Sequence, residues 1–80
     1  MSNYYRVTIL TSDDASLIGR YMLVFTRRRV TVTDFSFSKI SEGRGAITID
    51  FEAEQWVADN ICKQLGKQID ILEATLKELV

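Results

Sequence analysis

The 80-residue sequence contains no histidine and a single cysteine, Cys62. Without histidine, the side chain that most often moves protons near neutral pH is missing. One thiol excludes an internal disulfide framework and fits a reducing compartment. No apolar run approaches the roughly 18 residues needed to span a bilayer. The opening Met1-Ser2-Asn3-Tyr4 lacks the basic and apolar regions of a secretory leader, so the expected location is cytoplasmic. Ten basic residues against eleven acidic ones leave a net charge of −1. That field is too weak to gather nucleic acid or an anionic membrane, and neither is expected as a partner.

What the sequence does hold is a globular composition, 46% hydrophobic and 26% charged. A chain of this size buries only about 60–65% of its unfolded surface. That leaves little room for both a core and an enclosed catalytic cleft. A single domain over residues 1–80 is expected.

The hydrophobic period changes along the chain. Tyr5, Val7 and Ile9 alternate with Tyr4, Arg6, Thr8 and Leu10, a period-two strand. Ser12, Asp13 and Asp14 follow, with side-chain oxygens suited to capping a helix start. Leu17, Tyr21 and Phe25, flanked by Ile18 and Met22, give an amphipathic helix over residues 15–28. Arg27, Arg28 and Arg29 close it, where cations favour the negative end of the helix dipole. Residues 30–40 are rich in Thr, Val and Phe and read as a second strand. The apolar phase shifts between Val32 and Phe35, which predicts a bulge near Thr33 and Asp34.

Residues 41–45 form a hairpin connection. Ile47, Ile49 and Phe51 share one face of a third strand over residues 46–51. A second helix over residues 54–65 turns Val57, Ile61 and Leu65 inward, with Gly66 at its C-terminal end. Residues 69–76 make the last strand. The order βαββαβ is the α+β, ferredoxin-like sandwich. Right-handed crossovers place both helices on one face of a four-stranded antiparallel sheet.

That fold serves many functions, so chemistry must discriminate. Metal carriage wants paired thiolates in the first loop, which has none; no metal site and no cofactor are expected. Cys62, alone on the second helix, reads as a small buried hydrophobe. Asp13 and Asp14 could act as acid or base, but helix capping already accounts for them. Gly43 and Gly45 lie in a hairpin and not before a helix, so no phosphate-cradling loop exists. No catalytic residue is assigned. An RNA-binding sheet would carry stacking rings on its third strand, and those two positions hold Ala46 and Thr48. Their absence removes roughly 1–3 kcal/mol per base.

The segment Phe25-Thr26-Arg27-Arg28-Arg29-Val30-Thr31-Val32 resembles the Phe-Ser-Arg-Arg-Gly-Phe-Asn-Ile stretch of acetohydroxyacid (acetolactate) synthase small subunits. Lys63-Gln64-Leu65-Gly66-Lys67-Gln68-Ile69-Asp70-Ile71 is similar to their Lys-Gln-Leu-Asn-Lys-Leu-Ile-Asp-Val. The spacing of Val7-Thr8-Ile9-Leu10 before the first helix and the pattern around Ile47-Thr48-Ile49 agree as well. The resemblance runs over nearly the whole chain and implies an ACT domain. It further implies a homodimer joined through the sheet edge into eight strands. The expected partner is a large catalytic subunit carrying thiamin diphosphate, magnesium and usually flavin, with a small amino acid as possible effector.

Effector-responsive members carry Asn-x-x-Gly in the first loop and another Asn entering the second strand. The matching effector positions here are the loop Asp13-Asp14-Ala15-Ser16 and Thr31. A side chain at Ser16 crowds a close backbone approach. Asp13 cannot donate as an amide does. Two carboxylates oppose a ligand carboxylate. The resemblance thus implies a weakened or lost valine site. A free-standing amino-acid sensor is the alternative reading.

Trp56, one position off the inward stripe, reads either as a boundary residue at the sheet edge or as an anchor for a partner. Arg27 and Arg28 read either as a solvated helix end or as contacts to an acidic patch on the catalytic subunit.

Overall fold

The computed structural model describes residues 2–12, 18–28, 30–68 and 70–79. Six elements follow in order: β1 (Ser2–Thr11), α1 (Ile18–Thr26), β2 (Thr31–Ser41), β3 (Arg44–Glu54), α2 (Gln55–Gly66) and β4 (Ile71–Leu79). The strands make one antiparallel sheet ordered β2-β3-β1-β4. This is the expected βαββαβ fold. Asp13, Asp14, Ala15, Ser16, Leu17, Arg29 and Ile69 lie outside the described residues.

Alternation in the sequence becomes two faces in the sheet. Tyr5, Val7 and Ile9 of β1 and Ile47, Ile49 and Phe51 of β3 are buried under the helices. Tyr21 and Phe25 of α1 and Ala58, Ile61 and Leu65 of α2 close the core from above. Burying each of the Val, Ile, Leu and Phe side chains contributes about 1.5–3 kcal/mol. Phe25 meets Phe51 edge-on at 5.2 Å between ring centroids, which fixes α1 over β3.

Three register shifts each insert one extra residue. Thr33 is extra on β2 between Val32 and Asp34, where the sequence phase predicts a bulge. The extra residue Ile40 lies between Lys39 and Ser41, and Leu72 is extra on β4 opposite the Leu10–Thr11 step. Ile40 and Leu72 are 58% and 57% exposed. Their exposure follows from the bulges, which push them out of the apolar alternation.

Several boundaries differ from the periodic reading. Ala58, not Val57, takes the innermost place on α2, and Val57 only packs at its margin. Gly66 does not form a left-handed cap: α2 ends at Lys67 with a right-handed φ of −85°. Gly43 is the glycine at positive φ, 75°, in the hairpin turn. β4 runs three residues beyond the apolar pattern, to Leu79, because Lys77 and Glu78 continue the pairing with Arg6 and Tyr5. Among the described residues, no helix is long and apolar enough to cross a membrane.

Candidate functional site

The two crossovers carry the interesting residues to opposite ends of the sheet. At one end β1 finishes in Thr11, which stands opposite Gly45 of β3. At the other, Thr31 begins β2 opposite Glu52. Glu52 lies seven steps along β3 from Gly45, or about 24 Å at strand spacing. Thr31 therefore does not share an end with Thr11 in the same chain.

Thr31 lies instead with the expected partner-contact residues. An open cleft of about 320 Å³ is lined by Ser2, Arg28, Val30, Thr31, Glu52, Ala53, Glu54 and Val57. Arg27 and Arg28 form the turn after α1 rather than its last residues. Arg28 nevertheless serves the helix end, since Nη1 donates to the Val24 carbonyl oxygen at 3.2 Å. That bond satisfies one of the carbonyls a helix leaves open at its C-terminus. Arg27 is exposed.

Trp56 stands in the first turn of α2 and is 65% exposed. Its indole N–H donates to Glu54 Oε2 at 2.6 Å. This bond holds the Glu54 carboxyl below the usual glutamate range. It also keeps Glu54 from capping α2, whose N-cap makes no side-chain hydrogen bond. The structure thus brings Thr31 and Arg28 together at this end, close to Glu54 and the Trp56 it binds.

The opposite end holds a buried polar cluster that no sequence motif marks. Thr11 is the buried polar residue among those described, 1% exposed. Its hydroxyl donates to the Asp70 carbonyl oxygen at 2.9 Å and lies 2.9 Å from the Tyr21 hydroxyl. One hydrogen is spent on the carbonyl, so Tyr21 supplies the other bond as donor. Arg20 Nη1 holds the Asp70 carboxylate at 2.7 Å. Burial pushes the Tyr21 phenol above its ordinary value. Continuing the alternation Tyr5, Val7, Ile9 by one step would have placed Thr11 inward and exposed this cluster to view.

The face of the sheet away from the helices is polar. Ser36, Thr48, Thr8 and Thr75 stand opposite one another across all four strands. Beside that row Arg6 and Asp50 form two bonds of 2.8 and 3.0 Å. They hold the Asp50 carboxyl below its ordinary value. Ala46 and Thr48 sit half-buried on this face, and Tyr4 is its aromatic ring among the described residues. No cluster of three or more His, Cys, Asp or Glu able to hold a metal occurs among the described residues. The Cys62 thiol, half-buried 3.8 Å from the Ala74 carbonyl oxygen, is raised above its ordinary value by burial.

No protein-family model matches the sequence, and no curated protein matches it. Solved structures do share the fold. The ACT domain of GTP pyrophosphokinase from Chlorobium tepidum superposes with a TM-score of 0.77 at 10% identity, covering 99% of this chain and 100% of that one. An uncharacterized protein from Thermotoga maritima matches over 100% of both chains, with a TM-score of 0.80 and 12% identity. Ribosomal protein S6 of the 30S subunit, also from Thermotoga maritima, reaches 0.76 at 9% identity, over 99% of this chain and 89% of that one. An ACT domain and a ribosomal protein match about equally well, so the likeness carries the fold and not the activity.

Proposed function

We propose that the chain is a non-catalytic regulatory or activating subunit of acetolactate (acetohydroxyacid) synthase in branched-chain amino-acid biosynthesis. It works as a cytoplasmic homodimer joined through the β2 edge and binds the large catalytic subunit. The ACT-like fold and the sequence resemblance around Phe25–Val32 and Lys63–Ile71 support the assignment. The single observation that carries it is the β2 edge, where Phe35 is 36% exposed and Phe37 half-buried on an outermost strand. A monomer seldom leaves such an edge open. Antiparallel pairing through β2 also sets the Thr31 end of one copy beside the Thr11 end of the other, which one copy alone does not achieve. Trp56 and Arg27 with Arg28 are the contacts offered to the large subunit. The valine response is weak or absent, given Asp13, Ser16 and Thr31.

The test is copurification with an acetolactate synthase large subunit, followed by its activity with and without this chain. Tight copurification and a several-fold rise in activity are expected. No association at micromolar concentrations would remove the assignment. A second reading, a free-standing amino-acid sensor, is favoured by the cleft of about 320 Å³ beside Thr31, lined by charges of both signs. Calorimetric binding of an amino acid by the isolated chain, without any association with the synthase, would select it.

A further inference from the structure

Two concavities open at opposite ends of the sheet, and they differ in charge. The cleft beside Thr31 sets Glu52 and Glu54 against Arg28. The pocket at the other end holds about 190 Å³ between Leu10, Thr11, Ile40, Ser41, Arg44 and Gly45. Among these lining residues the charged group is the Arg44 guanidinium, and no carboxylate stands with it. None of the six is an effector position, and all come from one chain.

Irregular pairing shapes this second pocket. Ile40 is the extra residue of β2 between Lys39 and Ser41, and the β1–β4 register slips between Leu10 and Thr11. Bulges of this kind re-aim side chains and recur beside binding sites. Ile40 is left 58% exposed at the pocket, and Leu10 is half-buried. The Thr11 hydroxyl is already engaged by the Asp70 carbonyl and by Tyr21. The polar side chains left to a ligand are Ser41 and Arg44.

Arg44 is exposed at the first position of β3, opposite Ser41, and forms no ion pair among the described residues. Glu42 of the same hairpin faces Lys39 at 3.5 Å. Glu73 stands opposite Leu10 on β4, one strand further from β3. A guanidinium presents a rigid fork of donors that matches a carboxylate bidentately. One cation balances a monoanion. A phosphate monoester, at about −1.5 to −2, would keep uncompensated charge beside Leu10 and Ile40. Volume sets the length of the rest, since a dry cavity of about 150 Å³ holds a six-carbon ring. A chain of about five or six carbon atoms therefore fits. An α-ammonium group would meet no carboxylate here, which separates this pocket from the cleft beside Thr31.

We propose that the pocket binds a short aliphatic monocarboxylate. Arg44 and the Ser41 hydroxyl hold the carboxylate, and the hydrocarbon chain lies between Leu10 and Ile40. The site needs neither a second copy of the chain nor the synthase.

The probe is sodium hexanoate, titrated into the isotopically labelled full chain and followed by NMR. The expected result is a saturable shift of the Leu10 and Ile40 methyls and the Gly45 amide, with a Kd of about 1 mM. Hexanamide, the same shape without the charge, should bind about tenfold more weakly. Acetate, four carbons shorter, should lose as much or more. Arg44→Gln and Ile40→Ser, both at exposed positions, should each weaken hexanoate binding about tenfold and leave the rest of the spectrum in place. Equal affinity for hexanoate and hexanamide would overturn the site, and so would undiminished binding by Arg44→Gln. Shifts confined to Val30, Ala53 and Val57 would put the ligand in the other cleft and overturn it as well. Absence of saturation below about 20 mM would do the same.

Discussion

The ring of Phe37 lies over Gly45 so closely that a Cβ built on the glycine would stand 3.0 Å from the ring edge. The same Cβ would stand 3.3 Å from the Ser12 carbonyl oxygen. Gly45 is extended and needs no unusual φ; what it supplies is space. Gly45→Ala should therefore lower stability by about 1–2 kcal/mol, as overpacking does. The expected fall in melting temperature is roughly 4–8 °C per kcal/mol for a domain of this size. Phe37→Ala costs stability by itself, but in that background the added methyl should cost clearly less. Additive losses in the double variant would mean that the ring is not the obstacle.

Thr11 and Tyr21 give the second test. Tyr21→Phe removes one donor and leaves Thr11 bonded to the Asp70 carbonyl, at a cost of about 1 kcal/mol. Thr11→Val strands that carbonyl and leaves the Tyr21 hydroxyl only its longer bond to Asp70 Oδ2 at 3.5 Å, so it should cost more, about 1–3 kcal/mol. Thermal denaturation of both variants checks the order. The Tyr21 phenol titrates above its ordinary value of 10.0 when folded. The folded state then holds a proton the unfolded chain releases, so stability falls as pH rises beyond about 10. Tyr21→Phe should lack that part of the alkaline loss.

Arg6 and Asp50 set the acid side. The depressed Asp50 carboxyl contributes stability above its ordinary value of 3.8, and that contribution is lost as pH falls through its lower folded value. Denaturant midpoints measured from pH 5 down to pH 2 should drop more steeply for the unmodified protein than for Asp50→Asn. The Arg6 side chain is 43% exposed, so salt screens the pair and should narrow the difference. Equal acid slopes at low ionic strength would sink the argument.

These variants also measure how far the sequence could be read. Tyr5, Val7 and Ile9, or Ile47, Ile49 and Phe51, announce a buried face because a strand permits only period two. The bulge at Thr33 was legible for the same reason: Val32 and Phe35 cannot share a face without an extra residue. Ile40 and Leu72 hid their bulges, since a single exposed aliphatic breaks no pattern. Ala58 displaced Val57 because helix azimuth depends on the packing of α2 against β4, β1 and α1, which no local pattern records. Of the site, Thr31 and Arg28 are legible in the sequence, yet their convergence on one cleft depends on strand register. The Thr11–Tyr21–Asp70 cluster joins residues 59 positions apart in the chain and carried no motif.

Trp56 is the contact proposed for the large subunit. It is the sole tryptophan, 65% exposed, with one hydrogen bond to Glu54. Trp56→Ala removes a surface ring and introduces a better helix former in the first turn of α2. The stability change should stay within about 0.5 kcal/mol. An exposed aromatic that anchors an interface behaves differently on binding: its loss should cost about 2 kcal/mol or more, a thirtyfold weakening. The same ring reports its own burial. Its emission in the free chain should be that of a solvated indole and should shift to shorter wavelength when the large subunit is added. Binding that leaves both the emission and the affinity of Trp56→Ala unchanged would place the partner elsewhere. A stability loss equal to the affinity loss would return Trp56 to a structural role.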